Sequence, residues 1–118
     1  MKNEIELLIQ TVNEKKGEDI LYVDIQENAH PIADNVIVVS ALNVIHIKAM
    51  VDGVVRCYKD HKKDKLKALD FFGASGKPES RWVILDFNHV LIHIMEKELR
   101  SQYDFDNLFA DYENYRYH

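Results

Sequence analysis

The sequence predicts an α/β protein, α+β-like in layout, with a mixed sheet of about five strands and helices packed on it. Two observations point there. Apolar residues recur at helical spacing over Ile5–Val12 and Ile47–Tyr58, whereas the runs at 19–27, 35–40 and 81–96 are short, rich in β-branched residues and bounded by turn signals. The segment order is helix, strand, strand, helix, strand, strand, strand, helix, with no repeat or linker to divide it.

The first helix starts at Asn3, which has capping-box spacing to Glu6, and carries the stripe Ile5, Leu8, Ile9, Val12 before Gly17. Asp19–Glu27 (DILYVDIQE) reads as a strand closed by the turn-like ENAHP, and Asn35–Ser40 (NVIVVS) as a second, buried strand. Asn43 caps a long second helix with Ile47, Met50, Val51, Val54 and Tyr58 on one face, despite Gly53 at a cost of up to about 1 kcal/mol against Ala. LKALDFF (Leu66–Phe72) reads as a third strand and GASGKPES as a connecting loop. A hairpin follows over Arg81–Glu96, and the tail from Asp104 makes a short helix and then frays over 112–118.

The hairpin carries the functional argument. With Asn88 and His89 as a two-residue turn, Phe87 pairs with Val90, Leu85 with Ile92 and Val83 with Ile94, an apolar face that belongs to the core. The other face pairs Trp82 with Met95, Ile84 with His93 and Asp86 with Leu91. Asp86 and His93 are diagonal neighbours there, within reach of a side-chain hydrogen bond. Three readings follow: a catalytic pair, a structural ion pair, or part of a surface for a partner protein. No Ser or Cys stands at strand spacing to complete a nucleophilic triad, and Trp82 with Met95 favours the protein-binding reading.

Composition bounds the rest. At 118 residues, 47% hydrophobic and 30% charged, the chain has the makeup of one ordinary soluble domain that needs no metal or disulfide staple. The single Cys57 fits a reducing compartment, no apolar run is long enough to span a bilayer, and the acidic MKNEIELLIQ start is unlike a signal or transit peptide, so a cytoplasmic protein, or a processed organellar one, is expected. The net charge of −5 argues against duplex nucleic acid as the main partner. One local exception is Arg56–Lys67, with six Lys or Arg against Asp60 and Asp64, read as a solvated helix end or as an RNA contact through Lys62, Lys63 and Lys65.

Metal and phosphate signals are weak. His89 and His93 lie about 13 Å apart along an extended chain, Cys57 and His61 lack companion ligands, and GASGK is too short for a P-loop. Asp104 and Asp106 form a D-x-D that either caps the last helix or, in an enzymatic alternative, holds magnesium for nucleotidyl transfer. A homodimer through the mixed sheet face is a further alternative.

Several motifs taken together resemble the ribosomal silencing factor family, also called Iojap-related proteins. They are K-G-E-D-I before L-Y-V-D-I, Ala33-Asp34 before V-I-V-V-S, His46 at a helix start, R-W-V-I-L-D, V-L-I-H-I-M, and Y-D-F-D-N-L-F at Tyr103–Phe109, spread over roughly residues 16–111. The chain departs from the family pattern at Ala41, Ile45, Asn88, His89 and Phe109, and at Ser75 and Lys77 around Gly76. The resemblance implies a fold like that of nucleotidyltransferases without their active-site motif, no enzymatic activity and no cofactor. It implies binding to the large ribosomal subunit at its ribosomal protein fourteen, which blocks joining of the small subunit and lowers translation when nutrients are scarce; organellar relatives assist large-subunit assembly. Trp82 matches the family's interface tryptophan, with Asp86, His93, Met95 and Tyr103 as neighbouring or family-like positions.

Overall fold

Helix α1 (Asn3–Glu14) forms on the expected stripe: Ile5, Leu8, Ile9 and Val12 are all buried, and Glu4 and Glu6 sit in its first turn, where the helix dipole favours acids. In the computed structural model, which describes residues 3–25, 35–110 and 112–117, the helix stops at a left-handed Lys16 (φ 66°), with the Gly17 amide returning to the Val12 carbonyl. Gly17 is required by space. A Cβ there would lie 2.5 Å from Val39 Cγ2 and 2.9 Å from the Val12 carbonyl oxygen.

Strands β1 (Glu18–Asp24) and β2 (Asn35–Ala41) pair antiparallel, with a bulge near Asp19, whose φ is +49°. The expected turn at Glu27–Pro31 and the Ala33-Asp34 pair lie outside the described residues. Every residue of β2 is buried. That follows from its position: it lies between β1 and the parallel β5 (Val90–Glu96), with Ile37 and Val39 facing one apolar cluster and Val36 and Val38 the other. Buried Asn35 is satisfied by the Tyr22 hydroxyl, which donates to its Oδ1 at 2.6 Å, and burial raises the Tyr22 pKa.

Helix α2 (Val44–His61) is capped at both levels. Asn43 Oδ1 accepts from the His46 amide at 2.9 Å, and His46 Nδ1 accepts from the amide of Leu42, the residue before the cap, at 2.9 Å. With Nδ1 an acceptor, Nε2 carries the proton and donates to the Lys15 carbonyl at 2.7 Å, tying the end of α1 to the start of α2. Ile47, Met50 and Val54 face the sheet.

The third strand is displaced from the expected one. Leu66–Phe72 makes turns and an irregular segment; Leu66 and Leu69, three apart, plug the core, and Phe71 packs on Phe87 at 4.9 Å between ring centroids. The strand is the next three residues, β3 (Gly73–Ser75), paired with β4 (Trp82–Asp86), and a 3-10 turn at Pro78–Ser80 occupies the rest of the expected loop. The apolar run misled because its hydrophobicity serves insertion under α2 rather than alternation on a pleat.

The β4–β5 hairpin has the expected register throughout, Trp82 to Met95, Val83 to Ile94, Ile84 to His93, Leu85 to Ile92 and Asp86 to Leu91. Asn88 takes the left-handed conformation (φ 70°) and the Phe87 amide closes the turn on the Val90 carbonyl at 2.9 Å. After β5 (Val90–Glu96) come two short helices, α3 (Lys97–Arg100) and α4 (Phe105–Leu108), capped by the carboxylates of Glu96 and Asp104.

The tail does not fray over its described residues. Glu113–Tyr117 forms β6, antiparallel to β1, so the sheet has six strands in the order β3-β4-β5-β2-β1-β6. Tyr115 stacks on Tyr22 at 5.8 Å and Arg116 Nη1 donates to Asp19 Oδ1 at 2.7 Å, long-range partners that hold a terminus local propensity leaves open. α1 and α2 cover one face of the sheet.

Candidate partner-binding surface

The second face is covered over only part of its width. Phe105, Leu99, Phe109 and Tyr112, from the segment between β5 and β6, close over Leu21, Val23, Val36, Val38 and Met95. Trp82, Ile84, Leu91 and His93, toward the β3 edge, stay partly open.

Local structure around the start of β4 fixes Trp82. Gly76 (φ 82°) passes so close to it that a Cβ would lie 2.4 Å from the Trp82 carbonyl oxygen, and the Ser80 hydroxyl donates to that oxygen at 3.2 Å. Arg81 is left-handed (φ 67°) and its guanidinium pairs with Glu96 at 3.3 Å, pinning the strand start to the end of β5. Gly76 in GASGK therefore serves close backbone approach at the tryptophan. The indole, half-buried, meets Tyr103 edge-on at 5.0 Å, His93 at 5.8 Å and Phe105 at 6.5 Å, with Tyr103 itself 46% exposed. These rings form one aromatic surface with a solvent-facing rim.

His93 is held neutral. Burial pushes its pKa down from 6.5 to about 4, and Trp82 Nε1–H donates to His93 Nδ1 at 3.1 Å. The expected Asp86–His93 hydrogen bond is absent. Trp82 and Asp86 both stand diagonal to His93, but Asp86 lies beside the turn, and its Oδ1 accepts from the Asn88 amide at 2.9 Å. Met95 also differs from expectation. It is fully buried beneath the C-terminal cover, so it belongs to the core and not to a contact surface.

Lys62, Lys63 and Lys65 are exposed in the turns after α2. They follow α2, which packs on the opposite face of the sheet from Trp82. Among the described residues no cluster of three or more His, Cys, Asp or Glu could hold a metal ion. Cys57 Sγ accepts from the Thr11 hydroxyl, and Asp104 accepts the Asn107 amide at 3.1 Å as the cap of α4; the side chain of Asp106 lies outside the described set. No helix among the described residues is long and apolar enough to cross a membrane.

Beside the aromatic surface, and sharing Tyr103 and Phe105 with it, a cleft of about 290 Å³ opens over Asp19, Ser40 and Arg100. Arg100 is buried, donates to Ser40 Oγ at 2.9 Å and to the Asp19 carbonyl, and faces the Asp19 carboxylate at 3.8 Å. It locks α3 across β1 and β2. Sequence reasoning missed Phe105 and Phe109 as builders of the surface. Their signal was the aromatic series Tyr103, Phe105, Phe109, Tyr112, which marks a segment that must dock somewhere.

Comparison with known proteins bears on the family and the fold. A family model described as ribosomal silencing factor during starvation matches residues 1–117. A ribosomal silencing factor of Haemophilus influenzae is 27% identical over 106 residues, covering 90% of this chain and 97% of its own length, and that of Bacillus subtilis is 26% identical over 110 residues, covering 93% and 87%. The mouse protein named for mitochondrial assembly of the ribosomal large subunit is 25% identical over 109 residues, covering 92% of this chain and 46% of the mouse protein. A crystal structure of a Chromobacterium violaceum protein superposes with a TM-score of 0.77 at 24% identity, covering 91% of this chain and 83% of that one, which shows a shared fold.

Proposed function

This chain belongs to the ribosomal silencing factor family, and from that premise we propose that it binds the large ribosomal subunit at ribosomal protein fourteen through the Trp82 surface, preventing the small subunit from joining. The observation that carries the reading is the partly open sheet face, where an anchored tryptophan stands among Tyr103, His93 and Phe105. Buried aromatic anchors with a polar rim are the usual source of binding energy in protein interfaces. Asp86, on the same face beside the hairpin turn, supplies part of the rim.

A second reading, assistance in assembling the large subunit, is favoured by the name of the mouse relative, which this chain matches over less than half of the mouse protein's length. Sedimentation distinguishes the two. The protein is spun with isolated large subunits, and small subunits are then added. Co-sedimentation with blocked joining is expected; co-sedimentation without blocking favours assembly, and failure to co-sediment removes both. Trp82→Ala should keep a cooperative unfolding transition yet bind large subunits about 30-fold more weakly or worse, the loss of an anchor worth about 2 kcal/mol. Unchanged binding by that variant would overturn the assignment of the face.

A further inference from the structure

We propose that His93 is a specificity-determining donor on this surface: Trp82 locks its imidazole in the Nε2–H form, and Nε2–H donates a hydrogen bond to an oxygen acceptor of the partner protein, a backbone carbonyl or a side-chain oxygen. The inference rests on the reading of the Trp82 face as the partner-binding surface and adds the chemistry that a partner must present there.

The argument starts at the indole. Its nitrogen has one hydrogen and no lone pair to offer, so at 3.1 Å from His93 Nδ1 it can only donate, and Nδ1 must be the unprotonated nitrogen. A neutral ring then carries its proton on Nε2. Burial favours that neutral state over the cation, in which Nδ1 could no longer accept from the indole. No protein group is hydrogen-bonded to Nε2 among the described residues, and no buried side-chain nitrogen or oxygen of theirs is left without a partner, so Nε2 reaches the surface. The face therefore offers a fixed donor, and its tryptophan, with the N–H consumed internally, offers only its ring.

A donor held in place without its own freedom to rotate favours an acceptor at that spot and penalises a second donor or an apolar group, because the mismatch leaves a polar group unpaired on docking. The partner should accordingly lay an apolar patch on the Trp82 ring and an oxygen on His93.

The test compares wild type, His93→Phe and His93→Gln, each first shown to unfold cooperatively, in binding to isolated large subunits, with nitrogen NMR of the free protein recording the imidazole tautomer. A glutamine can accept from Trp82 through its oxygen and donate outward through its amide, whereas phenylalanine keeps the ring packing and does neither. We expect a pyridine-type Nδ1 and a pyrrole-type Nε2 in wild type, binding about tenfold weaker in His93→Phe, and recovery of most of that loss in His93→Gln. A proton on Nδ1, wild-type binding by His93→Phe, or His93→Gln as weak as His93→Phe would each overturn the proposal while leaving the proposed function standing. Wild-type protein that fails to bind large subunits would instead overturn the proposed function and this inference together, and the NMR result would still fix the tautomer.

Discussion

Acidification should weaken this protein through His93, by an amount the structure sets. The imidazole has an ordinary pKa of 6.5 and is pushed down to about 4 in the fold by burial. Between those values the unfolded chain binds a proton that the folded protein refuses, so the folded state is fully favoured above pH 6.5 and loses stability as pH falls toward 4. Each unit of displacement corresponds to about 1.4 kcal/mol, which places the total near 3 kcal/mol, a large share of the roughly 5–15 kcal/mol that holds a typical domain together. Urea unfolding at pH 7, 5.5 and 4.5, followed by the fluorescence of the single tryptophan beside His93, reads this directly. Carboxylates such as Glu96, held below its ordinary pKa first by the Leu99 amide and then by the Glu98 amide and Arg81, add their own loss of stability at the acid end of this series. They are common to wild type and His93→Gln, so the difference between the two slopes isolates the imidazole. Parallel stability curves for the two proteins from pH 7 to 4.5 would refute the reasoning, as would an NMR titration placing His93 near 6.5.

Three other substitutions test the frame that holds the surface. Gly17→Ala drives a methyl toward Val39 and the Val12 carbonyl, and should cost about 1–3 kcal/mol in chemical denaturation, whereas Gly53→Ala, meeting only the flexible Lys15 side chain and gaining up to about 1 kcal/mol of helix propensity, should be near neutral or stabilising. Arg100→Ala removes the buried guanidinium that Ser40 and Asp19 share, with an expected loss of about 2–3 kcal/mol by the same assay. Ending the chain at Tyr112 deletes β6, uncovers Tyr22 and frees Asp19 from Arg116; a clear drop in melting temperature is expected, and an unchanged one would mean that the tail contributes no stability.

Much of the fold was legible locally. The stripe of α1, the Asn43 cap and apolar face of α2, the buried run of β2 and the whole register of the β4–β5 hairpin follow from spacing and turn chemistry, because each depends on neighbours within a few residues. The hairpin register alone placed Trp82 and His93 on one face opposite the core residues Val83, Leu85 and Ile94.

What required the tertiary structure involves partners distant in sequence. β6 exists because Glu113–Tyr117 finds the free edge of β1 about 90 residues earlier, a pairing that no local propensity announces. The same return of the chain drops Phe105 onto the face and turns Met95 from a candidate contact into core. Which diagonal neighbour His93 bonds was likewise decided by competition: the turn amide of Asn88 engages Asp86, and the indole of Trp82 takes the ring nitrogen. The sequence by itself thus determined which residues share the second face, since a pleat alternates every two residues. Only the folded chain decided how much of that face stays open and what each polar group on it meets, because those outcomes depend on long-range packing.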